Sequence, residues 1–233
     1  DLRLWATDLA GEVVRHAPEW RSIRSQALVI KACVAGEGTV IGQEEARALA
    51  IASAEAMMAT LASQREAGGE WFEPGLSYDN ARLPEALILA GAHLDRPEWT
   101  EAGLATLGYL MRKQRSAQGW FSPVATNSFD ANSASHPSFD QQPIEALATV
   151  DACIAAYEAT ADDVWSGRAE AAFLWFAGQN DHGLALATSG DGGCYDGLTA
   201  FGFNQNQGAE SILSYHLAAA TIRSVPHLQR SGS

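Results

Sequence analysis

Along the 233 residues, apolar positions recur at three- and four-residue steps almost everywhere and alternate almost nowhere, which predicts helices and very few strands. Between Gln43 and Arg65 the small or apolar residues Ala46, Leu49, Ala50, Ser53, Met57 and Leu61 keep this spacing and mark one amphipathic helix. The same test predicts helices near 83–95, 98–115, 143–160, 163–178 and 208–223, and two more near 3–16 and 22–35. The segments at 98–115 and 163–178 keep polar residues on one side, such as Glu101, Thr106, Arg112 and Lys113, or Asp163, Arg168 and Glu170. Those at 83–95 and 143–157 are apolar nearly all round, as in Leu87, Ile88, Leu89, Ala90, and such helices are covered on every side. Alternating covered and exposed helices joined by short loops describe helical hairpins in two layers.

An internal repeat gives the hairpins a period. Three times a Gly-rich aromatic loop leads into an amide or acid cluster and then a Glu that opens an apolar helix. The first copy runs through Trp71, Phe72, Tyr78, Asp79 and Asn80 to Glu85, the second through Trp120, Phe121, Phe139, Asp140 and Gln141 to Glu145. The third runs through Tyr195, Asp196, Asn204 and Asn206 to Glu210. Glu85 and Glu145 are 60 positions apart and Glu145 and Glu210 are 65, whereas open helical solenoids repeat every 34–47 residues or so. The expectation is therefore an all-α chain folded as an α/α toroid of about four hairpins, a count that leaves open whether the ring closes. It forms one domain over 1–233, with 224–233 as a tail.

Composition narrows the function classes. Acidic residues number 28 against 15 basic ones, and the formal charge of -13 repels both nucleic acid and anionic membranes. No apolar run is long enough to span a bilayer. Three cysteines without CxxC spacing indicate neither a disulfide framework nor a zinc cage, which fits a reducing, cytoplasmic compartment. The six histidines show no ligand spacing, and no nucleotide or acyl-transfer motif is present, so neither a metal nor a cofactor is expected. A chain that starts at Asp1 suggests a processed product or an excised piece.

The repeated clusters carry the candidate chemistry. In a toroid all three would meet at one mouth of the cavity, where aromatic rings beside carboxylates and amides suit a sugar. Each residue also has a plainer explanation. Glu85, Glu145 and Glu210 fall in first helical turns, where the helix dipole favours a carboxylate by roughly 0.3–1 kcal/mol. Asp79 and Asp140 fit as caps, Trp71 and Trp120 as loop plugs, and Tyr78 and Phe139 as hydrophobic staples. Asn180 to Gly183 has the composition of a turn that ends a helix. Three acid clusters in one cavity repel each other, however, and caps alone do not require that.

The strings Tyr78-Asp79-Asn80-Ala81-Arg82-Leu83-Pro84-Glu85-Ala86, Phe139-Asp140-Gln141-Gln142-Pro143-Ile144-Glu145-Ala146 and Asn204-Gln205-Asn206-Gln207-Gly208-Ala209-Glu210-Ser211 resemble the helical region that follows the catalytic domain in bacterial family 4-type glycosyltransferases. That region is similar to six-hairpin glycosidase toroids, and the resemblance runs from about Trp71 to Ile222. It implies a carbohydrate-active protein, with an oligosaccharide or glycan and a glycosyltransferase domain as partners. In its catalytic form one carboxylic acid protonates a leaving oxygen and one carboxylate activates water, about 6.5–9.5 Å apart. By position the acid/base candidates are Asp140, Glu145 and Glu210, with Asp79 behind them. Asn80, Arg82, Gln141 and Asn206 would bind hydroxyls or hold a carboxylate, Trp71, Trp120 and Tyr195 would be ring platforms, and Tyr78 would join the substrate contacts. The alternative is a non-catalytic glycan-binding or scaffolding module. A prenyl-chemistry toroid shares the Gly-Trp loops but requires an Asp-rich motif that is missing here.

Overall fold

Eight α-helices dominate the computed structural model, which describes residues 2–126, 129–133 and 138–225. They are α1 (Leu2–His16), α2 (Ile23–Gly36), α3 (Gln43–Glu66), α4 (Arg82–His93), α5 (Pro97–Lys113), α6 (Pro143–Thr160), α7 (Asp163–Leu174) and α8 (Ala209–Ser224). All eight coincide with helices predicted from the apolar spacing. The strands are short: β1 (Gly75–Leu76) pairs antiparallel with β2 (Phe129–Asp130), and β3 (Gly197–Thr199) with β4 (Gly202–Asn204). The described fold is all-α with two small ladders. None of its helices is long and apolar enough to cross a membrane.

The chain divides into two compact units, Asp1–Glu73 with Arg82–Thr106, and Pro74–Ala81 with Leu107–Ser233. In the first, α2 packs against α3 and α4. Helix α3 turns Ala46, Ala50, Ala54, Met57 and Leu61 inward, while Leu49 and Ser53 lie half-buried on the flank of that stripe. Helix α4 buries nine of its twelve residues, as its uniform apolarity predicts. Among them is Glu85, whose carboxylate meets Lys31 Nζ at 2.5 Å and Arg82 Nη1 at 3.0 Å. A buried carboxylate persists only when paired in this way.

Helices α4 and α5 approach each other closely through glycine. A Cβ at Gly103 would lie 2.7 Å from Ile88 Cγ1 and 2.8 Å from the Pro84 carbonyl oxygen.

In the second unit α6 packs against both α7 and α8. Proline at the first turn of α6 lacks only an amide that the helix cannot use, and Ala161 in the left-handed conformation (φ 55°) ends it. Asp162 then caps α7 by accepting from Val164 N at 3.0 Å, so two residues suffice to turn the hairpin. Helix α6 buries twelve of its eighteen residues, whereas α7 buries four and shows its polar side to solvent. Helix α8 differs from α4 and α6. It buries Ser211, Ser214, Ala218, Ala219 and Ile222 but leaves Leu213 58% and Leu217 53% exposed. Small residues form most of its packed face.

Replacing Gly103 with Ala tests the helix contact. Helix propensity gains about 1 kcal/mol, but overpacking against backbone costs about 1–3 kcal/mol. The expected result of urea unfolding is a net loss of stability; a rise in the midpoint would show that the helices separate easily.

Candidate functional site

The second unit gathers its polar residues at the N-terminal ends of α6 and α8. Glu145, in the first turn of α6, is 3% exposed, and its carboxylate accepts three N–H groups. Asp79 N donates to Oε1, and both the backbone N and the side-chain Nδ2 of Asn80 donate to Oε2 at 3.2 Å. Asn80, itself fully buried, also accepts from Ser77 N at 3.0 Å through Oδ1. These bonds hold residues 77–80 in a tight turn with Asp79 left-handed at φ 47°, a conformation that Asp tolerates better than most residues. Tyr78 projects from the turn, half-exposed, and its hydroxyl donates to Glu210 Oε2 in a long bond of 3.3 Å. Tyr78, Asp79, Glu145 and Glu210 therefore form one connected set.

Electrostatics follow the burial. Burial, with a smaller contribution from the Asp79 carboxylate, raises the Glu145 carboxyl from 4.5 to about 7 against the lowering effect of the Asn80 and Asp79 donors. Burial also pushes the Tyr78 phenol up, and the carboxylates of Glu210, Asp79 and Glu145 add to the rise.

A second cluster lies beside the ends of the same helices. Asp140 and Asp196 line a cleft of about 120 Å³ with Thr126, Gln141, Gln142, Thr199 and Asn204. At roughly 30 Å³ per water, that volume holds only a few water molecules or a single projecting ligand group. Asp140 is exposed. Asp196 Oδ1 accepts from Gly208 N at 2.6 Å and from Ser211 Oγ at 2.7 Å. It thereby caps α8 from twelve residues away, in place of the side chain that Gly208 lacks.

Gln141 ties the surrounding loops together. Its two Nε2 hydrogens are shared among Ser122 Oγ, the Ser138 carbonyl and Asp181 Oδ2, its Oε1 accepts from Trp175 Nε1, and its backbone pairs with Leu198. With no exposed surface, it acts as a structural hub and leaves no group for a hydroxyl. Asp181 also accepts from Ser122 Oγ at 2.7 Å, and His182 stacks on Phe139. The segment from Asn180 to Gly183, which has the composition of a plain turn, thus supports this hub.

The remaining sequence candidates separate. Trp71 is 1% exposed and set edge-on against Phe72, so it fills the core of the first unit and offers no open ring face. Arg82 is buried and bound to Glu85 in that unit, which makes it a core ion pair. Trp120 is 44% exposed and borders a cavity in the second unit. Tyr195 is half-buried and stacks on Phe203 at 4.2 Å. Asn206 is exposed, with its carbonyl accepting from Asp196 N. The threefold repeat does not signal Asp196 as a cap, because the fold sets its helix contact twelve residues ahead.

Cys33, Cys153 and Cys194 are buried and unbridged; burial raises their thiols to about 11, 12 and 12, which makes them poor nucleophiles. Among the described residues no group of three or more His, Cys, Asp or Glu could hold a metal ion; His136 and His227 lie outside them.

Between pH 4.5 and about 7 the folded chain keeps a proton on Glu145 that the unfolded chain has released. Glu145 then contributes stability that is full below pH 4.5 and lost as pH rises through 7, on the order of 3 kcal/mol. Urea unfolding of the native chain and Glu145→Gln at pH 5 and pH 8 should show that decline only in the native chain. Equal declines in both would remove Glu145 as the source.

The chain matches no known protein family, and no curated protein matches it.

Proposed function

We propose that this chain is a carbohydrate-active, glycosidase-like protein, built of helical hairpins in the manner of an α/α toroid. The observation that carries the reading is the connected set of Glu145, Asp79, Tyr78 and Glu210, in which a buried carboxylate fixes a turn that sets a phenol against a second, exposed carboxylate. Such fixed donors and acceptors suit a ligand rich in hydroxyls. In the hydrolytic form, Asp79 and Glu210 flank the glycosidic bond, one as acid to the leaving oxygen and one as base to water. Glu145 positions them, because its two oxygens already serve three N–H donors. Asp140 and Asn206 extend the polar surface for hydroxyls.

That full engagement of Glu145 also favours a second reading. A carboxyl at about 7 has the proton affinity of a general acid, yet here it is committed to holding the turn. On this reading the chain binds glycan without cleaving it and serves an adjoining glycosyltransferase domain.

A thermal-shift and hydrolysis screen over oligosaccharides of varied linkage separates the two. Turnover that falls at least a hundredfold in Asp79→Asn or Glu210→Gln supports hydrolysis. A raised melting temperature without turnover supports binding alone. No shift and no turnover across the panel would overturn both.

A further inference from the structure

The second unit contains a larger cavity apart from the Tyr78 and Glu210 set. Its volume is about 560 Å³, in the range of small-ligand sites. Three elements build it: the end of α5, the tight loop after it, and one face of α7. Arg112 comes from α5, Arg115 and Trp120 from the loop after it, and Val164, Gly167 and Arg168 from α7.

Its charge runs against that of the chain. The chain has a formal charge of -13 and 15 Lys and Arg residues in total, yet three arginines and no Asp or Glu line this one cavity. Among the described residues neither Arg115 nor Arg168 forms an ion pair. Arg168 lies over the buried Trp165, with its guanidinium carbon 4.5 Å from the ring centroid. This cation–π contact restrains the guanidinium and uses none of its N–H donors, which suit a forked pair of hydrogen bonds to an oxyanion. Trp120 is fixed in turn: its amide donates to Ser116 Oγ at 3.1 Å, and its carbonyl accepts from Ser116 N.

Gly167, on the α7 wall of the cavity, faces open space. A glycine inside a helix costs roughly 0.5–1 kcal/mol relative to alanine. At Gly91 and Gly103 close helix packing explains the glycine, but a Cβ at Gly167 would meet nothing within 4 Å. A bulky side chain there therefore has room to project from the α7 wall.

We infer that this cavity is a binding site for an acidic saccharide, with Arg115 and Arg168 gripping its carboxylate, sulfate or phosphate while the half-exposed ring of Trp120 packs against the sugar. The saccharide part rests on the carbohydrate reading above; the oxyanion part stands on the arginines alone.

Calorimetric titration tests it with digalacturonate, its neutral methyl ester, a sulfated disaccharide, glucose 1-phosphate and inorganic phosphate. At least one acidic sugar is expected to bind saturably, at least tenfold more tightly than inorganic phosphate, with binding weakened by 0.5 M NaCl. For digalacturonate the ester should bind at least tenfold more weakly. The exposed Arg115→Gln should lose at least tenfold, and Gly167→Phe, which fills open space, should abolish binding while the thermal unfolding transition persists. No binding by any acidic sugar, or the same affinity in Arg115→Gln, overturns the proposal. Inorganic phosphate binding as tightly as the acidic sugars overturns the saccharide class and leaves an oxyanion site. Because Asp79 and Glu210 are untouched in these variants, failure here is distinguishable from failure of the glycosidase-like reading.

Discussion

The carboxylate of Glu145 holds residues 77–80 in place, and the arrangement of the other acids follows from it. A buried charge costs several kcal/mol unless hydrogen bonds replace its water. Here the replacements are two consecutive backbone amides and one side-chain amide, all from the Asp79–Asn80 step. The cost of burial is thereby converted into geometry. Asp79 is held left-handed, Tyr78 is directed at Glu210, and Asn80 closes the turn on Ser77. The raised proton affinity shows that the compensation is incomplete.

The same constraint takes a different solution at each repeated glutamate. Glu85 is neutralised by two cations in the first unit, Glu145 is solvated by amides, and Glu210 stays in contact with water. Three similar sequence contexts therefore produce a core ion pair, a turn anchor and a surface acid. Only the last two belong to the same unit, and the repulsion expected of three free carboxylates does not arise at Glu85.

Much of the helical framework was legible because periodicity is a local property. The full burial of α4 and α6 followed from their uniform apolarity, and the solvent face of α7 from its polar stripe. What was not legible depended on distant partners. Trp71 and Trp120 share the same Trp-Phe-x-Pro setting, yet one is core and the other half-exposed, because neighbours far along the chain decide burial. Arg82 looked free to bind hydroxyls until Glu85 took its charge, and Gln141 looked like a ligand contact until four separate loop groups consumed its amide. The Arg112, Arg115 and Arg168 cavity escaped sequence reasoning because the end of α5, the loop after it and α7 bring its members together across some fifty residues of chain.

The Asp196 cap joins two parts of the chain that would otherwise open independently. With Gly208 offering no side chain, the first turn of α8 is held by a carboxylate next to the β3–β4 hairpin. Breaking that pair frays the helix start and releases the hairpin end in the same event, so both belong to one unit of local unfolding. Amide hydrogens whose exchange requires that opening then share one opening free energy. A group that fills the cleft between Asp140 and Asp196 and leaves the two bonds to Asp196 intact slows exchange at the start of a helix that does not line the cleft.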